Sequence, residues 1–391
     1  MPFPVDEVRR LTPGVRRVIH LNNAGSALPP SPVVDVQIAH LRREAEIGGY
    51  EAAMEAGERI SAVYSSLGRL IGAAPNQIAV VENATRAWDM GVYGYPFRPG
   101  DRVLTGRSEY ASNVIALLQL SARHGVEIAV IEDDEHGQIS LEHLRSELEA
   151  GAAMVALTHV PTNGGLVNPA EAVGDLCAEF GVFYVLDACQ SAGQIPVDVT
   201  KVGCDLLSAT GRKYLRGPRG TGFLYVSERA LETITPPFLD LHAATWTASS
   251  DYRVRSDARR FENWETNYAG KLGLGAAVDY ALALGVDSTW ARISELAALL
   301  RLKLESTPRV ELTDKGLAKC GIVTFVVEGE SADRVQTELS SGGINVSTSP
   351  AAYALLDLPH RGLDAVVRAS VHYYNSEDEI ERLCAALRNL P

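Results

Sequence analysis

Seven short apolar runs, at residues 78–81, 103–104, 128–131, 154–157, 183–186, 206–207 and 223–226, alternate with stretches whose apolar positions recur at helical spacing. Runs of this length bounded by turn residues read as strands buried on both faces. Their alternation with helical segments predicts a mostly parallel α/β sheet covered on each side. Ahead of the first run, Val34, Ile38, Leu41 and Ala45 mark one helix, opened by Pro29, Pro30 and Pro32. Ile60, Val63, Tyr64, Leu67, Leu70 and Ile71 mark a second. From about residue 270 the pattern turns helical through Ala297, Leu300 and Leu304, and a smaller α+β unit is predicted after it. That unit comprises strand 322–327, helix 332–340, strand 367–371 and closing helix 377–387. The expected division is a large domain over residues 1–285 and a small one over 286–391, with the N-terminal segment packing on the small domain.

Composition adds exclusions. A net charge of −13 with no basic block gives a nucleic-acid or anionic-membrane partner no electrostatic footing. Cys177, Cys189, Cys204, Cys320 and Cys384 are odd in number and include no CxxC pair, so neither a metal site nor a disulfide framework is expected. Reduced thiols in a cytoplasmic compartment fit this usage. The first residues, Met1-Pro2-Phe3-Pro4-Val5-Asp6-Glu7, predict no signal peptide, and no run reaches the ~18–20 apolar residues of a membrane span.

In a doubly covered parallel sheet, ligands sit beyond the C-terminal strand ends, so the chemistry is sought in the loops there. Asp187 ends the strand 183–186, with Gln190 one loop step on. Thr210-Gly211-Arg212-Lys213 follows the strand at 206–207. A lysine can form a Schiff base with an aldehyde, and a carboxylate can keep a pyridine nitrogen protonated; pyridoxal 5′-phosphate (PLP) chemistry needs both. After substrate has displaced it, the Lys213 amine is placed to act as a base at Cα. Arg212 and Thr210 would hold a phosphate by charge-assisted bonds. Asn83-Ala84-Thr85, just before a helical stretch, offers backbone amides and the Thr85 hydroxyl as a second anion cup. Each feature has a plainer reading: an N-cap or turn for Asp187, a cap for Thr85, a solvated surface charge for Lys213. Their conjunction favours the cofactor.

With these residues in view, the chain resembles class V aminotransferases, the fold-type I PLP group that includes cysteine desulfurases, selenocysteine lyases and isopenicillin N epimerase-like proteins. The resemblance runs through Leu21-Asn22-Asn23-Ala24-Gly25, Glu109-Tyr110, Thr158-His159-Val160, Asp187-Ala188-Cys189-Gln190, Gly211-Arg212-Lys213, Arg260-Phe261-Glu262 and Arg368-Ala369-Ser370. It implies a large domain with a seven-stranded, mostly parallel sheet and a smaller α+β C-terminal domain. It further implies that Tyr110 stacks on the PLP ring, that Gln190 bonds the cofactor's phenolic oxygen and that Arg368 clamps a substrate α-carboxylate, aided by the backbone of Ala24 and Gly25. Thr162 and Asn163 would sit near cofactor and substrate. Glu265, Thr266 and Asn267 would reach the phosphate region of a neighbouring subunit, so a homodimer with shared sites is expected.

Departures narrow the reaction. Desulfurases of the family carry a nucleophilic cysteine on the loop before the carboxylate-binding arginine. Here that segment reads Val346-Ser347-Thr348-Ser349-Pro350-Ala351-Ala352-Tyr353-Ala354, with no thiol to accept sulfur. Persulfide-forming desulfuration is therefore not expected, and Cys189 reads as a structural thiol. Arg212 stands where histidine often precedes the lysine. The expected activity is a C–S lyase acting by β-elimination on an S-substituted L-cysteine, a small amino-acid substrate. Transamination, decarboxylation-coupled deamination and epimerisation stay open, the last with Tyr110 or Tyr353 as second base. Trp264, Tyr353, Tyr373 and Tyr374 are candidates to line the substrate pocket. A non-catalytic scaffold is disfavoured, since it has no need of Lys213, Asp187 and Arg368 together.

Overall fold

The structure, a computed structural model, describes residues 3–390. Met1 and Pro2, which open the segment read above for a leader, and Pro391 lie outside the described residues. All seven apolar runs form one sheet. In spatial order its strands are Ile78–Val81, Gly222–Val226, Leu206–Thr210, Phe183–Asp187, Met154–Thr158, Arg102–Gly106 and Glu127–Ile131. Gly222–Val226 runs antiparallel to both its neighbours, and the other pairings are parallel.

Successive residues of each strand point to opposite faces, and both faces are covered. On one side Leu104, Val155, Tyr184, Leu186, Leu207 and Phe223 pack with Val63, Leu67 and Leu70 of helix Gly57–Ile71. On the other side Val103, Met154, Phe183, Val185 and Leu206 pack with Trp88 and Met90 of helix Ala84–Val92 and Leu117 of helix Ala111–His124. This two-sided burial explains why the strands read as continuous apolar runs. Truncating one such residue, for example Leu186→Ala, is worth about 2–5 kcal/mol.

The edge strand Ile78–Val81 is also tied by Glu262. Its carboxylate accepts from Val80 N at 2.8 Å and from Tyr64 Oη at 2.8 Å, and pairs with Lys271 Nζ at 3.1 Å.

Past the sheet, helices Tyr268–Leu284 and Val286–Glu305 meet at an 80° bend on Gly285. No single helix among the described residues is long and apolar enough to cross a membrane. A second, four-stranded sheet follows, ordered Val310–Leu312, Ile322–Val327, Ala365–Ser370 and Ser347–Pro350. Its core is shared with the N-terminal segment: Val8, Ile19, Leu21 and Ala24 pack with Ile293, Leu300, Phe325 and Val367. The segment before Arg368, read above as a loop, contains the strand Ser347–Pro350, antiparallel to Ala365–Ser370. Its serines and threonine carry no apolar run, so periodicity is silent there.

Candidate active site

The C-terminal ends of the parallel strands open onto a cavity of about 380 Å³, within the range of small-ligand sites. It is lined by Ala84, Thr85, Tyr110, Thr162, Asp187, Gln190, Thr210, Arg212 and Lys213, residues separated by up to 129 positions in the chain. Asn113, Thr158 and Cys189 complete much of the wall.

Asp187 is the last residue of its strand, paired in register with Thr158 on one side and Ser208 on the other. Burial pushes its carboxyl above the ordinary range, against donors on both oxygens: Asn113 Nδ2 to Oδ2 at 2.9 Å and Cys189 N to Oδ1 at 2.8 Å. Asn113 donates its amide to Glu109 Oε1 as well, at 2.8 Å. Glu109 is itself buried and raised by that burial, and it accepts from Thr158 N, Thr158 Oγ1 and Tyr110 N.

Lys213 is 8% exposed and has no salt-bridge partner among the described residues. Burial lowers its pKa, as do Arg212 and Arg368, while Cys189 and Asp187 oppose them. The loop that carries it is closed by Arg216 N donating to Lys213 O at 2.9 Å and Gly217 N donating to Gly211 O at 2.7 Å. Arg216 adopts the left-handed region, φ 60°, to make this turn.

Ala84 and Thr85 begin a nine-residue helix whose cap, Asn83, accepts from Arg86 N at 2.8 Å. The first helical amides have no acceptor within the helix and are available to an anion. This corner can form because residue 222 is glycine: a Cβ there would sit 2.7–2.9 Å from the Asn83 backbone.

The N-terminal segment and the second sheet meet the cavity lining through hydrogen bonds to Thr162, Gln190 and Arg212, although Ala24, Gly25, Asn163 and Arg368 are not themselves part of it. Arg368 is 7% exposed on an interior strand, directly across from Ser347, so it is not an edge charge. It donates to Thr162 Oγ1 and to Asn22 Oδ1. Burial holds its pKa down, to about 10. Ala24 N donates to Ser370 Oγ at 2.9 Å, and Ala24 O accepts from Gln190 Nε2 at 3.1 Å. Gly25 O accepts from the Arg212 guanidinium. Asn163 is buried, its Oδ1 without a partner.

Two more of the proposed site residues lie outside the lining. Tyr353 is 65% exposed on the turn Ala351–Tyr353, outside the cavity lining. Asn267 caps helix Tyr268–Leu284 and lines a separate cavity with Glu265, Thr266 and Lys271. Of the other aromatic candidates, Tyr373 and Tyr374 are core residues against the buried Arg216 guanidinium, and Trp264 is exposed. The sequence alone does not distinguish Asn113 from other asparagines, and it marks Asn22 only as part of Leu21-Asn22-Asn23-Ala24-Gly25, with no role of its own. Asn113, four residues past Glu109, carried a weak helical-spacing signal.

The model of the family described as aminotransferase class-V matches residues 19–383. The chain belongs to the class V aminotransferase family. A probable cysteine desulfurase of Xylella fastidiosa (strain 9a5c) is 31% identical over 381 residues, covering 95% of this chain and 90% of the relative. The apo structure of cysteine desulfurase from Thermococcus onnurineus NA1 superposes with a TM-score of 0.93 at 26% identity, over 99% and 98% of the two chains. The complex between the cystine C–S lyase C-DES and its reaction product cysteine persulfide shares the fold, with a TM-score of 0.88 at 23% identity over 97% and 99%.

The class V protein is an enzyme whose cofactor is PLP. The residues present fit that group. A buried lysine without a salt-bridge partner among the described residues, a buried carboxylate held by two donors and a helix N-terminus face one cavity. Gln190 Oε1, in the same wall, is buried with no partner. Among the described residues no group of three or more His, Cys, Asp or Glu is arranged to hold a metal ion.

Proposed function

We propose that this enzyme cleaves the C–S bond of an S-substituted L-cysteine by β-elimination. With water, the substrate would yield a thiol, pyruvate and ammonium. PLP when bound supplies an aldehyde for amine exchange and a cationic ring that accepts negative charge from Cα.

The chain's residues would do the rest. Asp187 would hold the ring N–H, and Ala84, Thr85, Thr210 and Arg212 the phosphate, with Tyr110 and Gln190 against the ring. Arg368 would take the α-carboxylate, near Asn163 and the backbone of Ala24 and Gly25. Lys213 would lift the Cα proton; burial lowers its pKa, favouring the neutral amine that a base requires.

One observation carries the choice of reaction. The segment facing Arg368, Ser347-Thr348-Ser349-Pro350, offers three hydroxyls and no thiol to receive sulfur. Cys177, Cys204, Cys320 and Cys384 are buried and outside the cavity wall.

A second reading is sulfur transfer to the protein. The desulfurase names of the relatives argue against excluding it, and Cys189 lines the cavity beside Lys213. Burial raises the Cys189 thiol, which disfavours the thiolate that such a transfer needs.

Product analysis separates the two. Pyruvate and free thiol over many turnovers from an S-substituted L-cysteine, without a keto-acid acceptor, support the lyase. Alanine from L-cysteine with a persulfide on Cys189 supports desulfuration. A single equivalent of keto acid that retains its sulfur supports a transaminase.

The reading includes a homodimer. It is supported by the exposed Ile38, Leu41, Tyr50, Met54 and Trp264, and by Asn267 lying outside the Lys213 cavity.

A further inference from the structure

Among the described residues, the buried Arg368 guanidinium is held only by neutral groups. Thr162 Oγ1 and Asn22 Oδ1 accept from its two terminal nitrogens, the second at 3.3 Å, and its Nε has no partner. No carboxylate among the described residues pairs with it. A buried cation left without an anion is costly, so each neutral partner needs a reason.

Asn22 supplies a clear one. It stands at the N-cap of helix Asn23–Ser26, where asparagine is among the best capping residues. Yet its side chain makes no capping hydrogen bond; it is turned to Arg368 instead. One feature holds it there and another makes room for it. Asn22 forms a parallel bridge to Ser370, two residues beyond Arg368. Residue 25 is glycine, and a Cβ at that position would meet Asn22 Oδ1 at 2.5 Å.

We propose that Asn22 is a specificity-determining positioning residue: it aims the Arg368 guanidinium without neutralising it, and so reserves that charge for a carboxylate on the substrate. A carboxylate at position 22 would aim Arg368 equally well but would occupy its charge. The inference rests on the reading of Arg368 as the carboxylate clamp.

The probe is 2-aminoisobutyrate, an amino acid without a proton at Cα, compared with isopropylamine, which lacks the carboxylate. Binding of each to the PLP-loaded enzyme is read from the visible absorbance, and the ratio of the two affinities is the carboxylate preference. Asn22→Asp is expected to cut that preference roughly ten- to a hundredfold. Asn22→Leu, which removes the acceptor and adds no charge, is expected to cut it by about threefold. Both variants are first required to keep the cofactor band and a cooperative melt.

A preference unchanged in Asn22→Asp overturns the proposal. Equal losses in the Asp and Leu variants also overturn it, since they would show a purely structural role. Arg368→Gln separates the levels. If that variant keeps the full preference, the clamp reading itself fails; if it alone loses it, only the role of Asn22 does.

Discussion

Asn113 and Asp187 lie 74 residues apart in the chain and are joined by one 2.9 Å hydrogen bond, from Nδ2 to Oδ2. Because the same amide nitrogen also donates to Glu109, the two buried carboxylates are spaced by a shared donor. Removing it leaves two buried acceptors short of a partner. Asn113→Leu should weaken PLP binding by about 1–3 kcal/mol, roughly five- to a hundredfold. A fluorescence titration of apo-protein with PLP measures this; an unchanged affinity would show that Asp187 does not depend on Asn113.

Lys213→Ala should abolish the visible absorbance that arises from the lysine-linked cofactor. The variant is still expected to bind PLP non-covalently at the phosphate cup and Asp187, so bound phosphate is assayed alongside the spectrum. A mutant that keeps the wild-type band would remove Lys213 from its place.

Arg368→Ala removes a charge-assisted contact worth about 1.5–3 kcal/mol. KM for an amino acid with a free α-carboxylate should rise accordingly, roughly ten- to a hundredfold. An unchanged KM would place the carboxylate elsewhere.

His159 follows the strand Met154–Thr158 and is buried with Nδ1 unpartnered, and burial lowers its pKa from 6.5 to about 4. The unfolded chain therefore binds a proton between pH 6.5 and 4 that the folded chain does not. Stability should fall as pH drops through that window, by roughly 3 kcal/mol at its lower end, and be unaffected by this group above it. In His159→Gln that part of the acid limb should vanish, which urea midpoints at a series of pH values would reveal. Parallel curves for wild type and variant would contradict it.

The sheet was legible because its strands are buried on both faces, so every residue in each run is apolar. Asp187 and Lys213 were legible because strand ends are where such a fold places ligands. Periodicity was less informative for helix Ser31–Ile47. Val34, Ile38, Leu41 and Ala45 do mark it, but Ile38 and Leu41 are exposed while Val33 and His40 are the buried residues. An apolar stripe identifies a helix without saying what covers it. The hairpin Ala244–Ala248 with Asp251–Val254 escaped notice for the converse reason, since it is almost wholly exposed. Asn22 and Asn113 were illegible because their roles are set by partners 346 and 74 residues away.

The turn that bonds to Gln190 and Arg212 of the cavity lining is fastened to residues far along the chain. Asn23 Nδ2 donates to Ser370 O at 2.7 Å across 347 positions, and Ala24 N is held by the hydroxyl of the same serine. The turn thus waits for a residue made 347 positions after it. On the ribosome the sheet and its strand-end loops can be completed long before this turn is fastened, so the surroundings of Arg368 form only after the cavity lining has been made.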